Sequence, residues 1–347
     1  MGYCMKRKVS MQDIADALEI SKNSVSIALR GKPGISNALR EKILISAAEM
    51  GYLGPHQTNQ KGNNLLLVVD DNFDGNDIFF APLIAALLRC AKEKGYNMLM
   101  TSVTDSMQET GAIPQAFYDI SASGVILLGN IRRSYAEKYV SSKIPCVMML
   151  HHLYGVPMDH VLSANEDGAF AVTRHLISKG HRKIGYLADI GTFTSFSQRQ
   201  RGYQRALREA KIPFREDFEI LLDTHQTLVK DMAPYVEHIL QLQDRPTAWL
   251  CGNDDVAIAL INEFRNQGIQ VPYDVSVAGF DGISTAFLFH PKLCTYMVRI
   301  DTLGYRGVEL LLNRINKKED PPQICCVLGN LVEGDSVAER KTESAPL

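Results

Sequence analysis

Residues able to do chemistry fall into two groups, and neither has the makeup of a catalytic centre. The first lies on a short periodic stretch from Lys22 to Arg30, whose outer face carries Lys22, Asn23, Ser26 and Ile27. An ammonium, an amide and a hydroxyl can hydrogen-bond base edges in a major groove, and an isoleucine can touch a thymine methyl. Ser10, Ser21, Ser26 and Arg30 can grip phosphates, contacts that set register without reading sequence. The second group follows apolar runs later in the chain. Asp281, after Val275–Phe280, supplies paired acceptors suited to hydroxyls, and Asn253, after Ala248–Cys251, supplies a donor and an acceptor. Asn253 can equally cap a helix opening near Asp255. His151 and His152 are neighbours at the end of an expected strand, where they would point to opposite faces and make a poor metal pair. The chain has no G-x-G-x-x-G after a strand, no G-x-x-x-x-G-K-[ST], no G-x-S-x-G and no H-E-x-x-H. No catalytic residue, metal site or cofactor is therefore expected.

The elements that must position these groups change character along the chain. Met11 to Leu29 has helix-turn-helix arithmetic: Ile14, Ala15 and Leu18 on one face, a turn at Glu19-Ile20-Ser21, then Val25, Ala28 and Leu29 turned inward. Ala15 is small where the helices must cross, and Ser21 and Ser36 stand where N-caps would open the second and third helices. This gives a DNA-binding domain over 1–53. Residues 54–64 are a polar linker. From residue 65 to 347, apolar runs (Leu65–Val69, Asn97–Thr101, Val125–Leu128, Val147–Leu150, Ile184–Leu187, Ile220–Leu222, Ala248–Cys251, Val275–Ala278) alternate with amphipathic helices. Continuous apolar strands are those buried on both faces of a parallel sheet. There are too many for one small sheet, so the expected fold is α/β, with two doubly wound lobes and a cleft between them.

Composition supports this division. The chain has 347 residues, 37 Lys+Arg and 39 Asp+Glu, and 46% apolar residues. That is ample for a large core and excludes a mainly disordered chain. Residues 1–62 carry nine Lys/Arg against five Asp/Glu, while the remainder is acidic, the asymmetry of a nucleic-acid reader joined to a control domain. No apolar run approaches the ~20 residues of a membrane span, and no secretory pattern opens the chain. Seven scattered cysteines without a C-x-x-C suit a reduced, cytoplasmic setting.

Several motifs together carry a resemblance. Val9-Ser10-Met11-Gln12-Asp13-Ile14-Ala15, Ser21-x-x-Ser24-Val25-Ser26 and Ala48-Glu49-Met50-Gly51-Tyr52 are similar to the head-piece of the lactose/galactose-repressor (LacI/GalR) family. The likeness continues through Asn165-Glu166-Asp167-Gly168, Gly180-His181-Arg182-Lys183-Ile184, Arg199-x-x-Gly202-Tyr203, Gly252-Asn253-Asp254 and Val275-Ser276-Val277-Ala278-Gly279-Phe280-Asp281, in the family's order. It implies a homodimeric transcription factor on a palindromic double-stranded DNA operator, with a periplasmic-binding-protein-like core answering to a small effector, commonly a sugar. Ser36 and Tyr52 join the DNA-facing set, and Arg199 matches the family's cleft arginine. Asp77-Ile78-Phe79-Phe80 resembles a segment whose aromatic stacks on ligand, although Phe79 and Phe80 can also simply pack at a helix start. His225 stands near the place of another stacking aromatic.

Three departures from the family qualify these expectations. Gln57-Thr58-Asn59-Gln60-Lys61 replaces the linker pattern whose leucine wedges into the minor groove, and a lysine cannot act as an apolar wedge. Ile27 stands where an arginine often sits. Leu150, His151 and His152 follow the strand where the family commonly has an aspartate, which leaves a different sugar, an anionic or phosphorylated ligand, or no ligand open. The competing classes are a sugar-binding protein of transport or chemoreception, a regulator controlled by a protein partner, and an α/β enzyme.

Overall fold

The computed structural model describes residues 9–29, 34–50, 52, 63–71, 78–189, 194–222, 229 and 231–340. The first three helices are α1 (Met11–Ala17), α2 (Lys22–Leu29) and α3 (Asn37–Glu49). They close over a small core of Ile14, Ala15, Val25, Ala28, Ile43 and Ala47, all buried. Their entry points are fixed locally. The Ser10 hydroxyl accepts from the Asp13 amide at 3.3 Å while the Asp13 carboxylate accepts from the Ser10 amide at 2.6 Å, a reciprocal cap. The Ser21 and Ser36 hydroxyls accept from the amides of Ser24 and Leu39, at 3.0 and 3.3 Å. Arg40 reaches back from α3 and donates to the Ile27 and Ala28 carbonyls at 3.4 and 3.1 Å, satisfying the C-terminal end of α2.

Two six-stranded sheets follow. In the first lobe β1 (Asn64–Asp70), β2 (Asn97–Val103), β3 (Gly124–Leu128), β4 (Cys146–Met149) and β5 (Asp159–Ser163) are joined by β11 (Ile324–Val327) in the order β11-β5-β4-β3-β1-β2, all parallel. Its helices are α4 (Phe80–Glu93), α5 (Asp105–Thr110), α6 (Gln115–Asp119) and α7 (Arg133–Ser141). The second lobe holds β6 (Ile184–Asp189), β7 (Glu219–Leu222), β8 (Ala248–Cys251), β9 (Ser276–Asp281), β10 (Cys294–Met297) and β12 (Asn330–Val332), ordered β12-β10-β9-β8-β6-β7. Only β12 is antiparallel to its neighbour there. Its helices are α8 (Asn165–Ser178), α9 (Thr194–Glu209), α10 (Ala233–Gln241), α11 (Asp254–Asn266) and α12 (Ser284–Leu288), while α13 (Ile300–Asn316) returns to pack on α4 in the first lobe.

The two-residue alternation of a strand, with both faces buried, explains why β1 is apolar from Leu65 to Val69. Leu65, Leu67 and Val69 face a core shared with Leu83, Leu87, Leu303 and Leu311, and Leu66 and Val68 face Tyr135, Ala136 and Tyr139 on the other side. The first of these cores continues into the second lobe through Ala169, Val172, Tyr186, Leu250 and Phe280. The chain passes between lobes at Ser163–Asn165, at Met297–Ile300 and at Val327–Asn330.

The expected α/β architecture with two doubly wound lobes is what the chain adopts, with local corrections. β1 opens at Asn64, one residue inside the stretch expected as linker. β4 ends at Met149, and residues 150–153 form a loop, so the reasoning that put His151 and His152 on opposite faces of a strand does not apply. β5, β10, β11 and β12 were not foreseen. β5 hides because Asp159, His160 and Ser163 interrupt its apolar pattern, yet Asp159 is 1% exposed and doubly bonded by Arg314, at 2.7 and 3.0 Å. Partnered polar groups can be buried at little cost. No helix among the described residues is long and apolar enough to cross a membrane.

Candidate functional site

Each sheet runs 2-1-3-4-5 in its own strand count, so the chain reverses direction between β1 and β3 and again between β6 and β8. Ligands of open α/β sheets bind at the carboxyl ends flanking such a reversal. Asp70 ends β1, Asp189 ends β6, and Gly252-Asn253 follow β8. The two sets of carboxyl-end loops meet: the His152 amide of the first lobe donates to the Thr194 hydroxyl of the second at 3.0 Å. This inter-lobe contact therefore lies at the carboxyl ends of β4 and β6.

In the first lobe, the Asp70 carboxylate accepts from the Asn130 amide at 2.8 Å, which folds the turn after β3 over it. Gly129 at that turn has φ +95, and a Cβ there would lie 2.1 Å from the carboxylate oxygen, so only glycine allows the approach. Phe79 immediately precedes α4 and Phe80 opens it; the rings meet edge-on at 5.5 Å and both pack against the shared core. Phe79 also touches the apolar cluster behind the second sheet, so it bridges the lobes.

The second lobe supplies the most highly organised feature. Arg199 is 6% exposed. Its Nε donates to Asn165 Oδ1 at 3.0 Å, one Nη to the Gly252 carbonyl at 2.5 Å and the other to Asp281 Oδ1 at 2.8 Å. The guanidinium lies 3.8 Å over the Phe280 ring and 5.3 Å from that of Phe196. Asp281 holds φ +111, a strained backbone for a non-glycine residue and of a kind that clusters at binding sites. Asp254 fixes that turn: one oxygen accepts from the Gly282 and Ile283 amides at 2.7 and 2.9 Å and the other from the Thr295 hydroxyl at 2.6 Å. Burial, and then the nearby Asp281 charge, push its carboxyl well above the usual carboxylate range.

The structure thus brings Arg199 and Asp281 together, with Asn253 next in sequence to Gly252, whose carbonyl Arg199 holds. Asn253 Oδ1 accepts from the Val256 amide at 3.0 Å, so its capping role is occupied, and its remaining amide hydrogens are what it could offer a ligand. His151 and His152 sit on the opposite loop. Burial lowers the pKa of each, with the neighbouring His152 adding to the effect on His151, which removes protonated imidazole as an anion partner near neutral pH. Asp77 and His225 lie outside the described residues. Sequence reasoning missed Asn165, Asp189 and Asp254 as parts of the site. Asp189 follows an apolar run and was findable on the rule that picked Asp281, but Asp254 was hidden inside a helix start.

At the DNA end, Lys22, Asn23, Ser21 and Ser36 are exposed, and Ser26 and Ile27 are half-buried. Ile27 lies toward the Gly34 turn, where a Cβ would be 3.7 Å from its Cδ1, so less of it faces outward than expected. The hydroxyls of Ser10, Ser21 and Ser36 are engaged as caps, and Tyr52 packs on the head-piece core. Arg30 lies outside the described residues.

Comparison with known proteins fits this layout. Residues 173–337 match a family model described as a periplasmic binding protein-like domain. The ribose operon repressor of Haemophilus influenzae is 27% identical over 319 residues, covering 90% of this chain and 93% of that protein. The HTH-type transcriptional repressor PurR of Aliivibrio salmonicida is 24% identical, covering 91% and 95%. A solved complex of the transcriptional regulator CelR with cellobiose superposes with a TM-score of 0.71 at 21% identity, over 95% of this chain and 100% of that one. Helix-turn-helix head and two-lobed α/β body together define a DNA-binding transcriptional regulator of the repressor type. The similarity to these LacI-type repressors extends over about nine-tenths of the chain.

Proposed function

We propose that the regulator is controlled by a neutral polyhydroxylated effector, a sugar or sugar derivative, held in the inter-lobe cleft by Arg199, Asp281 and Asn253. The Arg199–Asp281 pair carries this reading. A guanidinium whose charge is already met by a buried carboxylate and whose three bonds are already made has little left for a phosphate, yet still presents hydrogens for hydroxyls. His151 and His152, both with lowered pKa, add no cation, and Asp70, Asp189 and Asp281 place carboxylates at the strand ends. These features favour a neutral over an anionic ligand. The cellobiose held by one fold relative is of this chemical kind.

Binding would favour one inter-lobe angle and so change the spacing of two head-pieces in a homodimer against palindromic half-sites. The role is binding, with no catalytic step. The test is a thermal-shift panel of neutral sugars against their phosphates. A neutral sugar that raises the melting temperature by mass action, with its phosphate ineffective, supports the reading; stabilisation by phosphates alone overturns it. At the other end, Lys22→Ala with Asn23→Ala should abolish discrimination between operator and random duplex while leaving the fold intact, and retained discrimination would remove α2 as the reading helix.

A further inference from the structure

We propose that His160, buried in β5, is a positioning residue: it braces the 150–153 loop of the first lobe so that this loop can latch onto Thr194 of the second. The regulatory consequence rests on the cleft being the effector site, but the latch itself does not.

The geometry is a short chain of contacts. Leu150 leaves β4 with φ +63 and its amide bonds to the Val161 carbonyl at 2.8 Å. Two residues on, the His152 amide donates to Thr194 Oγ1 across the gap at 3.0 Å. The next amide, that of Leu153, donates to His160 Nε2 at 3.2 Å. His160 is 2% exposed, its ring edge-on to that of His152 with centroids 5.0 Å apart, and the His152 ring also lies 4.1 Å from that of Tyr154. Consecutive amides are thus tied to different lobes, one to Thr194 and the other to β5. Neighbouring Cα atoms are only about 3.8 Å apart across a rigid peptide plane, so displacing the second tie moves the first.

The tie at His160 uses a lone pair. Nε2 accepts only while unprotonated, and a proton there would set donor against donor. The ionisable groups facing the ring are His152 and His151 on the loop and Asp159 on its own strand, with the Met158 carbonyl alongside. Asp159 is already engaged by Arg314, and burial together with the two histidines lowers the His160 pKa to about 4. A loosened loop would return the ring toward its ordinary value of 6.5. The latch should therefore hold fully above that value and weaken by up to about tenfold for each pH unit below it, until about 4.

Residue-resolved amide exchange on the full chain at about pH 7.5 tests this without sugar or DNA, so its outcome is independent of what the cleft binds. Thr194→Val should speed exchange at His152 about fivefold or more, and Thr194→Ser, which keeps the hydroxyl, should restore protection. His160→Phe removes the acceptor while filling the space. The proposal requires faster exchange at both Leu153 and His152, and an unchanged His152 overturns it. Should that variant fail to fold, the wild-type protein suffices. Corrected for intrinsic rates, protection at both amides should fall between about pH 6.5 and 5.5 while β1 amides hold, and flat protection at His152 refutes the brace.

Discussion

Arg199 and Asp281 meet at 2.8 Å with only 7% and 10% of their side chains exposed, a buried ion pair that joins the first turns of α9 to the end of β9. Breaking such a pair from one side strands a charge out of water, which costs about 3–5 kcal/mol, whereas keeping both partners is close to neutral relative to an apolar pair. Arg199→Ala should therefore lower unfolding free energy by about that amount in urea titrations, as well as removing any sugar response. Asp281→Asn keeps an acceptor and should cost less. Equal stability of Arg199→Ala and wild type would mean that solvent reaches the pair and that the cleft is more open than the structure indicates.

The candidate site was legible by two routes: Arg199 through the family resemblance, and Asp281 and Asn253 through one physical rule. Residues just beyond apolar runs stand out as candidates because a buried strand announces its own end, as at Asp281 and Asn253. Their supports were not found. Asp254, Asn165 and His160 are polar residues buried in otherwise apolar surroundings, and their burial depends on partners distant in sequence, such as Thr295, Arg199 and Leu153. The same holds for the fold: β1, β3 and β8 read as apolar runs, whereas β5 is masked by Asp159, whose partner Arg314 lies far along the chain in α13. Local pattern shows where a strand is buried but not which polar group a distant residue will satisfy.

Glu19 offers a test of local strain. It occupies the turn between α1 and α2 with φ +54, a left-handed conformation that costs a side-chain-bearing residue roughly 1–2 kcal/mol relative to glycine. Its side chain is exposed and makes no contact that glycine would forfeit among those described. Glu19→Gly should stabilise the head-piece by about 0.5–1 kcal/mol after the added unfolded-state entropy is subtracted, without altering operator preference. Slower amide exchange in α1 and α2 would register the gain; faster exchange there would show that Glu19 makes a stabilising contact.

His181 should make stability depend on pH. Its Nδ1 lies 2.9 Å from the Thr247 hydroxyl and its Nε2 3.2 Å from the Ala338 carbonyl, tying the end of the described chain to the start of β6 and β8. Burial lowers its pKa to about 4 from an ordinary 6.5. Between these values the unfolded chain binds a proton that the native ring refuses, so stability falls as pH falls through this window and is level above it. The loss is about 1.4 kcal/mol per pH unit. Urea midpoints at about pH 7.5 and 5.5 should show it, and His181→Gln should flatten the dependence by about one group's share. An unchanged slope in the variant would assign the pH effect to other residues.

The linker, which lies outside the described residues, carries the clearest departure from the family that the sequence resembles, and its effect can be read on DNA. Kinking a duplex through the minor groove needs an apolar side chain that repays the unstacking of a base step. Gln57-Thr58-Asn59-Gln60-Lys61 offers none. Lys61 can instead follow the phosphate backbone, where each neutralised phosphate adds about 0.9 to the salt slope of the binding constant. The operator should therefore stay nearly straight, and binding should be steeply salt-dependent for its affinity. Fluorescence transfer between the ends of a bound operator distinguishes the cases. A large central bend that disappears when residues 57–61 are replaced by glycine and serine would show that a polar linker can still open the groove. An unbent site with a salt slope reduced by Lys61→Ala would show that phosphate contact has replaced insertion.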